Sequence, residues 1–427
     1  MSRIFPQLTS PSLPRVRGRI LAAAALTALA GLTVAGLSAT PAGAATGAGV
    51  MQQIAIDKDY AEETAKLALL TALRDAGKPD RPDAVQRSLD GLVKNDKFPA
   101  ALATVRDANG RTRYYTSGVA DLKTKAKVPY NGQVRIASNT KMFTATVVLQ
   151  LVGEGKIDLD APIETYLPKL VRGKGLDGRK ITVRQILQHT SGLADYDVQI
   201  VGQDYGKVQH TSFEPRQLLD AALPQGALFA PGAGWSYSNA NYVLAGLIIE
   251  KVTGRPVGAE ITTRIIKRIG LRHTYWPAKG DQSIRERHPH GYFPTAAGPM
   301  TDVTEQDPSM AWAAGQLIAT PGDVNRFMIA LLDGKLLKPQ QLKQMQTTVA
   351  APNFDATGGA RYGLGLASIK LSCGGSAWTH GGNAPGYVTD NAVTEDGRAA
   401  TIAVTAPATT LPAAKRIEAA VDTALCK

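Results

Sequence analysis

The sequence predicts a mixed α/β fold of the α+β kind. An antiparallel sheet from N- and C-terminal strands is flanked by helices, with a mostly helical subdomain inserted at about residues 140–330. Three observations predict it. Strand-like runs crowd both ends of the chain, the first pair around Asn109-Gly110. Helical periodicity with caps fills the middle. The 427 residues, 44% hydrophobic and 20% charged, supply a sizeable core for two closely packed parts.

The elements follow in chain order. Residues 1–44 carry Arg3, Arg15, Arg17 and Arg19 before an apolar Ala-rich run, and Ala42 and Ala44 fit a small-x-small cleavage pattern. A secretory signal cleaved after Ala44 is expected, with no stable membrane anchor and an extracellular, envelope-associated product. Residues 45–84 read as a linker and helical extension, with an amphipathic helix at 60–77 broken by "KPDRP". The catalytic domain is expected at 85–427. A helix from about Asp83 to Val93 precedes the Asn109-Gly110 hairpin. In the middle, "KMFTATVVLQLVGEG" is an apolar helix. "ITVRQILQH" opens on a capping box, Thr182 to Gln185, "NYVLAGLIIEKVTG" closes at Gly254, and Thr320-Pro321 starts another helix. "YGLGLASI", "SAWTHGG", "YVTDNAVTED" and "GRAATIAVTA" read as antiparallel strands, one pair joined at Asp396-Gly397, before a last helix from about Pro412 to Leu425. Joining the end strands into one sheet, backed by the first and last helices, leaves a cleft beside the helical middle.

The formal charge is +12, or +8 once the four arginines of residues 1–44 are set aside. That surplus suits an anionic envelope, and no Lys/Arg block is dense enough to argue for nucleic acid. Cys373 and Cys426 are an even pair, which in an exported chain reads as a disulfide. His288 and His290 lack further ligands nearby, so no metal site and no cofactor are expected.

The chemistry starts at "IASNTKMFTA". Ser138 and Lys141 stand one helical turn apart at the start of an apolar helix. There the hydroxyl meets free N–H groups and the positive dipole end, and burial lowers the lysine pKa toward a base. Such a pair occurs about once by chance in a chain this long. Two further elements, each present once, add weight: Tyr237-Ser238-Asn239 in "GWSYSNANY" and His380-Gly381-Gly382 in "WTHGGNAPGY".

Ser-x-x-Lys, Tyr-x-Asn and His-x-Gly in this order resemble the serine penicillin-recognising enzymes: class C β-lactamases, soluble D-alanyl-D-alanine carboxypeptidases and related esterases. The flanks "ITVRQILQHTSGL" and "AWAAGQLIATPGDVNRFM" are similar too, and the resemblance runs from about Val85 to Cys426. It implies their fold and an acyl-enzyme on Ser138. Lys141 and Tyr237 would share the proton traffic, the ammonium keeping the phenol acidic. Asn239 would hold a substrate amide and fix the lysine. The N–H groups of Ser138 and Asn383, after Gly382, would form the oxyanion hole. His380 would place a donor or positive charge near a substrate carboxylate, and Trp312 would wall the cleft. Two departures bear on specificity. Gly381 stands where the peptidases often have a carboxylate-binding Thr, and Ala367 and Ser368 stand where they carry an Arg.

The expected function is therefore a secreted serine hydrolase, first of all a D-alanyl-D-alanine carboxypeptidase on peptidoglycan stem peptides. A β-lactamase, an esterase or a D-aminopeptidase of the same fold is the alternative, and a non-catalytic penicillin-binding module a further one. The partner is a small-molecule or peptide substrate, and a monomer is expected. The chain holds no Gly-x-Ser-x-Gly elbow and no His/Asp metal cluster, which argues against an α/β-hydrolase and a metallo-hydrolase.

Overall fold

The computed structural model describes residues 83–201, 205–294 and 300–426. The expected signal segment, the linker and the 60–77 helix lie outside the described residues.

Asp83 caps helix α1 (Ala84–Lys94) by accepting from the Gln86 N–H, and Val85, Leu89 and Leu92 bury one face of it. Strands β1 (Ala100–Arg106) and β2 (Thr112–Gly118) form the expected hairpin, with Gly110 at φ +81°. The C-terminal strands are β3 (Val349–Ala350), β4 (Arg361–Tyr362), β5 (Ala367–Lys370), β6 (Ser376–Thr379), β7 (Gly382–Ala384), β8 (Tyr387–Thr394) and β9 (Ala399–Val404). One sheet unites them in the order β2-β1-β9-β8-β6-β5-β4-β3, with β7 also paired to β8. The N-terminal and C-terminal strands meet at β1–β9, antiparallel with Ala103 opposite Ile402.

Strand alternation sorts side chains to two faces. Ala101, Ala103 and Val105 of β1 join Ala400, Ile402 and Val404 of β9 in a core under α1 and the last helix, α6 (Leu411–Cys426). Ala100, Leu102, Ala399 and Ala403 face the other way, into the larger core. Cys373 is disulfide-bonded to Cys426 at the end of α6.

The larger core is built on α2 (Thr140–Gly153), buried on nearly every side, as an apolar helix without a polar face must be. The predicted capping box at Thr182–Gln185 forms on α3 (Val183–Gln188). Helix α4 (Asn239–Thr253) ends in a left-handed Gly254, and Thr320 caps α5 (Pro321–Leu332). Phe143 of α2 stacks on Phe327 of α5 with ring centroids 3.7 Å apart. The middle is not purely helical: short pairs such as Arg172–Gly173 with Leu176–Asp177, and Tyr292–Pro294 with Met300–Asp302, interrupt it. Helix α2 begins beside strand β7, and this junction positions the site. Among the described residues no helix is long and apolar enough to cross a membrane.

Candidate active site

Ser138 lies in a short 3₁₀ turn, Ala137–Asn139, that leads directly into α2. The residue before it, Ala137, is held at φ +46°, a left-handed conformation that costs a residue with a Cβ roughly 1–3 kcal/mol. The turn is over-determined by its neighbours. Ile136 N–H bonds Leu317 O at 3.1 Å, and Asn139 Nδ2 donates to Ile136 O (2.9 Å) and Thr389 Oγ1 (2.7 Å). Asn391 Nδ2 donates to Asn139 Oδ1 and to His380 O (2.6 Å), so one buried amide ties the Ser138 turn to the β6–β7 link that carries His380. Gly382 is required there. A Cβ on it would stand 2.3 Å from Ile136 O and 2.7 Å from Asn139 Nδ2. The missing side chain brings β7, and with it the exposed Asn383, alongside Ser138.

Lys141, fully buried, donates to Ser138 Oγ at 3.0 Å, Asn239 Oδ1 at 2.7 Å and Ala314 O at 2.8 Å. Burial lowers its pKa far below the usual lysine value, and the Asp195 and Asp197 carboxylates restore part of it. The three acceptors decide what a neutral Lys141 would do. Asn239 Oδ1 and Ala314 O carry no hydrogen, so each needs one of the two remaining N–H groups. The lone pair then faces the only partner able to donate, the Ser138 hydroxyl. Held in this way, a neutral Lys141 would point its lone pair at the Ser138 hydroxyl.

Tyr237 lies above Lys141, whose Nζ is 4.8 Å from the ring centroid, and its hydroxyl hydrogen-bonds with Ser138. Burial raises its pKa well above 10, and the Ser138 bond offsets only part of that rise. The expected acidified phenol is not found; in the free site Tyr237 is a phenol. His189 stacks on it at 4.3 Å and is itself buried, its pKa pushed well below 6.5 by that burial and by Lys141.

Three expected roles are corrected. Asn239 fixes the lysine, but its Nδ2 hydrogens go to Asp195 Oδ2 (3.1 Å) and Asp197 Oδ2 (3.0 Å), leaving none for a substrate amide. His380 carries no positive charge. It is 1% exposed, and burial first, then Lys141, pushes its pKa down to about 3. Trp312 does not join the rings around Ser138. Its backbone is left-handed (φ +37°), and its indole packs on Gly246 of α4. With Trp276 and Glu250 it lines a separate pocket of about 390 Å³. Two residues on, Ala314 holds Lys141.

The wall of the site comes from residues that the motifs do not mark. Trp235, Phe354 and Tyr362 gather around Tyr237 and His380, with centroids 5.1–6.5 Å apart. Ala367 is fully buried beside Tyr362 and beneath Trp235 and Phe354, so no arginine fits there. A Cβ on Gly381 would stand 2.7 Å from Asp390 Oδ1. Asp195 and Asp197 follow "HTSGL" as two acids in "ADYD", and nothing in that spacing signals a link to a lysine. No group of residues able to hold a metal ion occurs among the described residues.

The sequence profile of the Beta-lactamase family matches residues 85–425. A D-stereospecific amidohydrolase from Streptomyces sp. is 39% identical, with a TM-score of 0.72 over 80% of this chain and 98% of that one. A D-amino acid amidase from Ochrobactrum anthropi is 29% identical, with a TM-score of 0.71 over 80% and 96%. An esterase from Burkholderia gladioli is 31% identical over 201 residues, 45% of this chain and 50% of the esterase. The chain spans about half the length of the curated relatives it matches. The chain belongs to the Beta-lactamase family, and its site is that of a serine hydrolase.

Proposed function

We propose that the chain is an exported serine amidohydrolase that opens amide or ester bonds beside a D-configured residue through an acyl-enzyme on Ser138. The observation that carries the acyl-transfer reading is the placing of Lys141, whose lone pair has only the Ser138 hydroxyl to face. In the acylation step Lys141 takes the hydroxyl proton and Ser138 Oγ bonds to the carbonyl carbon. The oxyanion forms between the N–H groups of Ser138 and Asn383, and the leaving amine departs with a proton returned through Lys141 and the Tyr237 hydroxyl. Water then splits the ester and restores Ser138.

The substrate class rests on what surrounds this machinery. A terminal carboxylate calls for a cation or a fork of donors. Here the His380 ring is neutral, Gly381 has no side chain and Ala367 is buried. These features support amide and ester substrates over free-acid peptides, and the aromatic wall suits an apolar side chain. The likeness to the two D-specific amidohydrolases supports the D configuration. The D-alanyl-D-alanine carboxypeptidase expected from the sequence has less support, for the same reasons. Export rests on the pattern of residues 1–44 and agrees with the Cys373–Cys426 bridge. The catalytic domain is taken as residues 85–427.

The test is hydrolysis of D-phenylalanine amide, L-phenylalanine amide and a peptide ending in D-Ala-D-Ala, by the native chain and by Ser138→Ala. The D-amide should be cleaved with kcat/KM at least about tenfold above both others, and the variant should be inactive. Preference for the free-acid peptide would overturn the substrate class. Absence of an acyl adduct on Ser138 by intact mass would overturn the mechanism.

A further inference from the structure

Beyond the nucleophile and its base lies a second tier of contacts. Asn239 opens α4 and stands between Lys141 and two carboxylates. Its Oδ1 accepts from Lys141. Its Nδ2 donates to Asp195 Oδ2 and Asp197 Oδ2, and its backbone N–H donates to Asp195 Oδ1 at 3.1 Å. An amide can be turned over at little cost in shape, so something must decide which end faces the lysine. Two acceptors on one side and an N–H donor on the other decide it. Reversed, Asn239 would set NH₂ against an ammonium and its oxygen against two carboxylates.

We propose that Asp195 and Asp197 are positioning residues for acylation: through Asn239 they hold an acceptor on Lys141 and supply the negative field that governs its charge. The inference rests on the acyl-enzyme reading of Ser138 and Lys141. It does not depend on which substrate the enzyme takes.

The described groups around Lys141 can be taken in turn. Ser138 and the Ala314 carbonyl are uncharged. The rings of Tyr237 and Tyr242 lie 4.8 and 5.5 Å from Nζ, and both phenols are driven upward by burial. His189 and His380 feel Lys141 and are held neutral. The two carboxylates are what oppose the burial of the lysine charge. The effect is mutual: burial raises the Asp195 pKa, as does the nearby Asp197 charge, while Lys141 lowers it. The pair is asymmetric. Asp195 is partly buried and takes three hydrogen bonds, whereas Asp197 is exposed at the start of the short helix Asp197–Val201.

The consequence has a definite sign. Acylation needs neutral Lys141, so its rate falls on the acid side as the lysine gains a proton. The carboxylates favour the ammonium and place that fall at higher pH. Removing a carboxylate should move the acid limb to lower pH, by on the order of one unit for Asp195→Asn. Asp197→Asn should move it in the same direction. The probe is p-nitrophenyl acetate, a neutral ester with no group for either carboxylate to bind. The measurement is the second-order rate of Ser138 acylation against pH, with thermal unfolding followed in parallel.

A downward shift of the limb in either variant, with Asp195→Glu restoring it, is the expected result. A loss of rate with the limb unmoved would mean a purely structural role and would overturn the proposal. So would an upward shift. If Asp195→Asn does not fold, Asp197→Asn decides by the same criterion. A native chain that is never acylated would instead remove the reading of Ser138 on which the proposal rests.

Discussion

The Tyr362 hydroxyl donates to His380 Nε2 across 2.9 Å, while His380 Nδ1–H donates to Gly381 O at 2.6 Å. Both ring nitrogens are thereby assigned: Nδ1 holds the proton and Nε2 accepts. A second proton would turn the Tyr362 bond around and set an imidazolium inside a ring of aromatic side chains, where burial disfavours the charge. The imidazole acts as a rigid, uncharged spacer between the sheet and the site.

Stability should therefore fall in acid. Unfolded, His380 takes a proton near its ordinary pKa of 6.5; folded, it does so only at about 3. Between these values the unfolded chain binds more protons, so folding weakens as pH drops, by up to about 1.4 kcal/mol per unit. Denaturant unfolding at pH 6.5 and at pH 4.5 measures the slope. His380→Gln should flatten it without abolishing it, because His189 titrates with the same sign. An identical slope in the variant would place the proton uptake elsewhere.

Lys141 and Tyr237 should differ in kind. Lys141→Ala removes the base and should lower the rate of Ser138 acylation by roughly 10³-fold or more. Tyr237→Phe keeps the ring beneath His189 and loses a phenol that is not ionised, so its loss should be smaller, on the order of tenfold to a hundredfold. Because both hydroxyl and amine bond Ser138, the double variant should lose less than the product of the two single losses. Strict multiplication of the losses would show that the two act independently.

How far the sequence could be read depends on how local each feature is. The β1–β2 hairpin, the Thr182 capping box and the Ser138–Lys141 turn are written within a few residues. The spatial meeting of Ser138, Lys141, Tyr237 and Asn239 follows once α2 and α4 pack. Features that depend on distant partners were not legible. Asn391 reaches Asn139 across 252 positions; Asn391 stands in no recognisable motif, and Asn139 fills an unspecified position of Ser-x-x-Lys. The neutrality of His380 is not visible in sequence, because Phe354 and Tyr362 cover it only in the folded chain. Nor does the sequence show that Trp312 has a left-handed backbone and packs its indole on Gly246.

The disulfide should be a stability element and not part of the site. Cys373 and Cys426 close a loop with a separation of 53 and fasten the end of α6, far along the chain from Ser138. In the chain-entropy picture such a bridge contributes about 4 kcal/mol. Cys373→Ala with Cys426→Ala should lower the unfolding temperature by several degrees while leaving the rate of ester acylation at low temperature within about twofold. A large loss of that rate in the folded variant would show that α6 supports the site more directly.

The corner beside Gly381 offers the last prediction. A carboxylate-binding threonine at this position would need room that Asp390 occupies, its Oδ1 standing 2.7 Å from where the Cβ would be. Burial, with the nearby Glu418 and Asp355 charges, raises the Asp390 pKa to about 8, so this acid is mostly protonated at neutral pH and ionises above it. In the native enzyme, discrimination against a peptide with a free terminal carboxylate, relative to its C-terminal amide, should sharpen as pH rises through about 8. Gly381→Thr alone should crowd Asp390 and gain little. Gly381→Thr together with Asp390→Ala makes the room, adds the hydroxyl and removes the repelling group. A hydrogen bond to a charged group is worth about 1.5–3 kcal/mol. The double variant should therefore raise the acid-to-amide ratio of kcat/KM by about tenfold or more, and its pH dependence above 8 should vanish. An unchanged ratio in the folded double variant would mean that the carboxylate end of a peptide does not lie against Gly381, and that Asp390 takes no part in choosing the substrate.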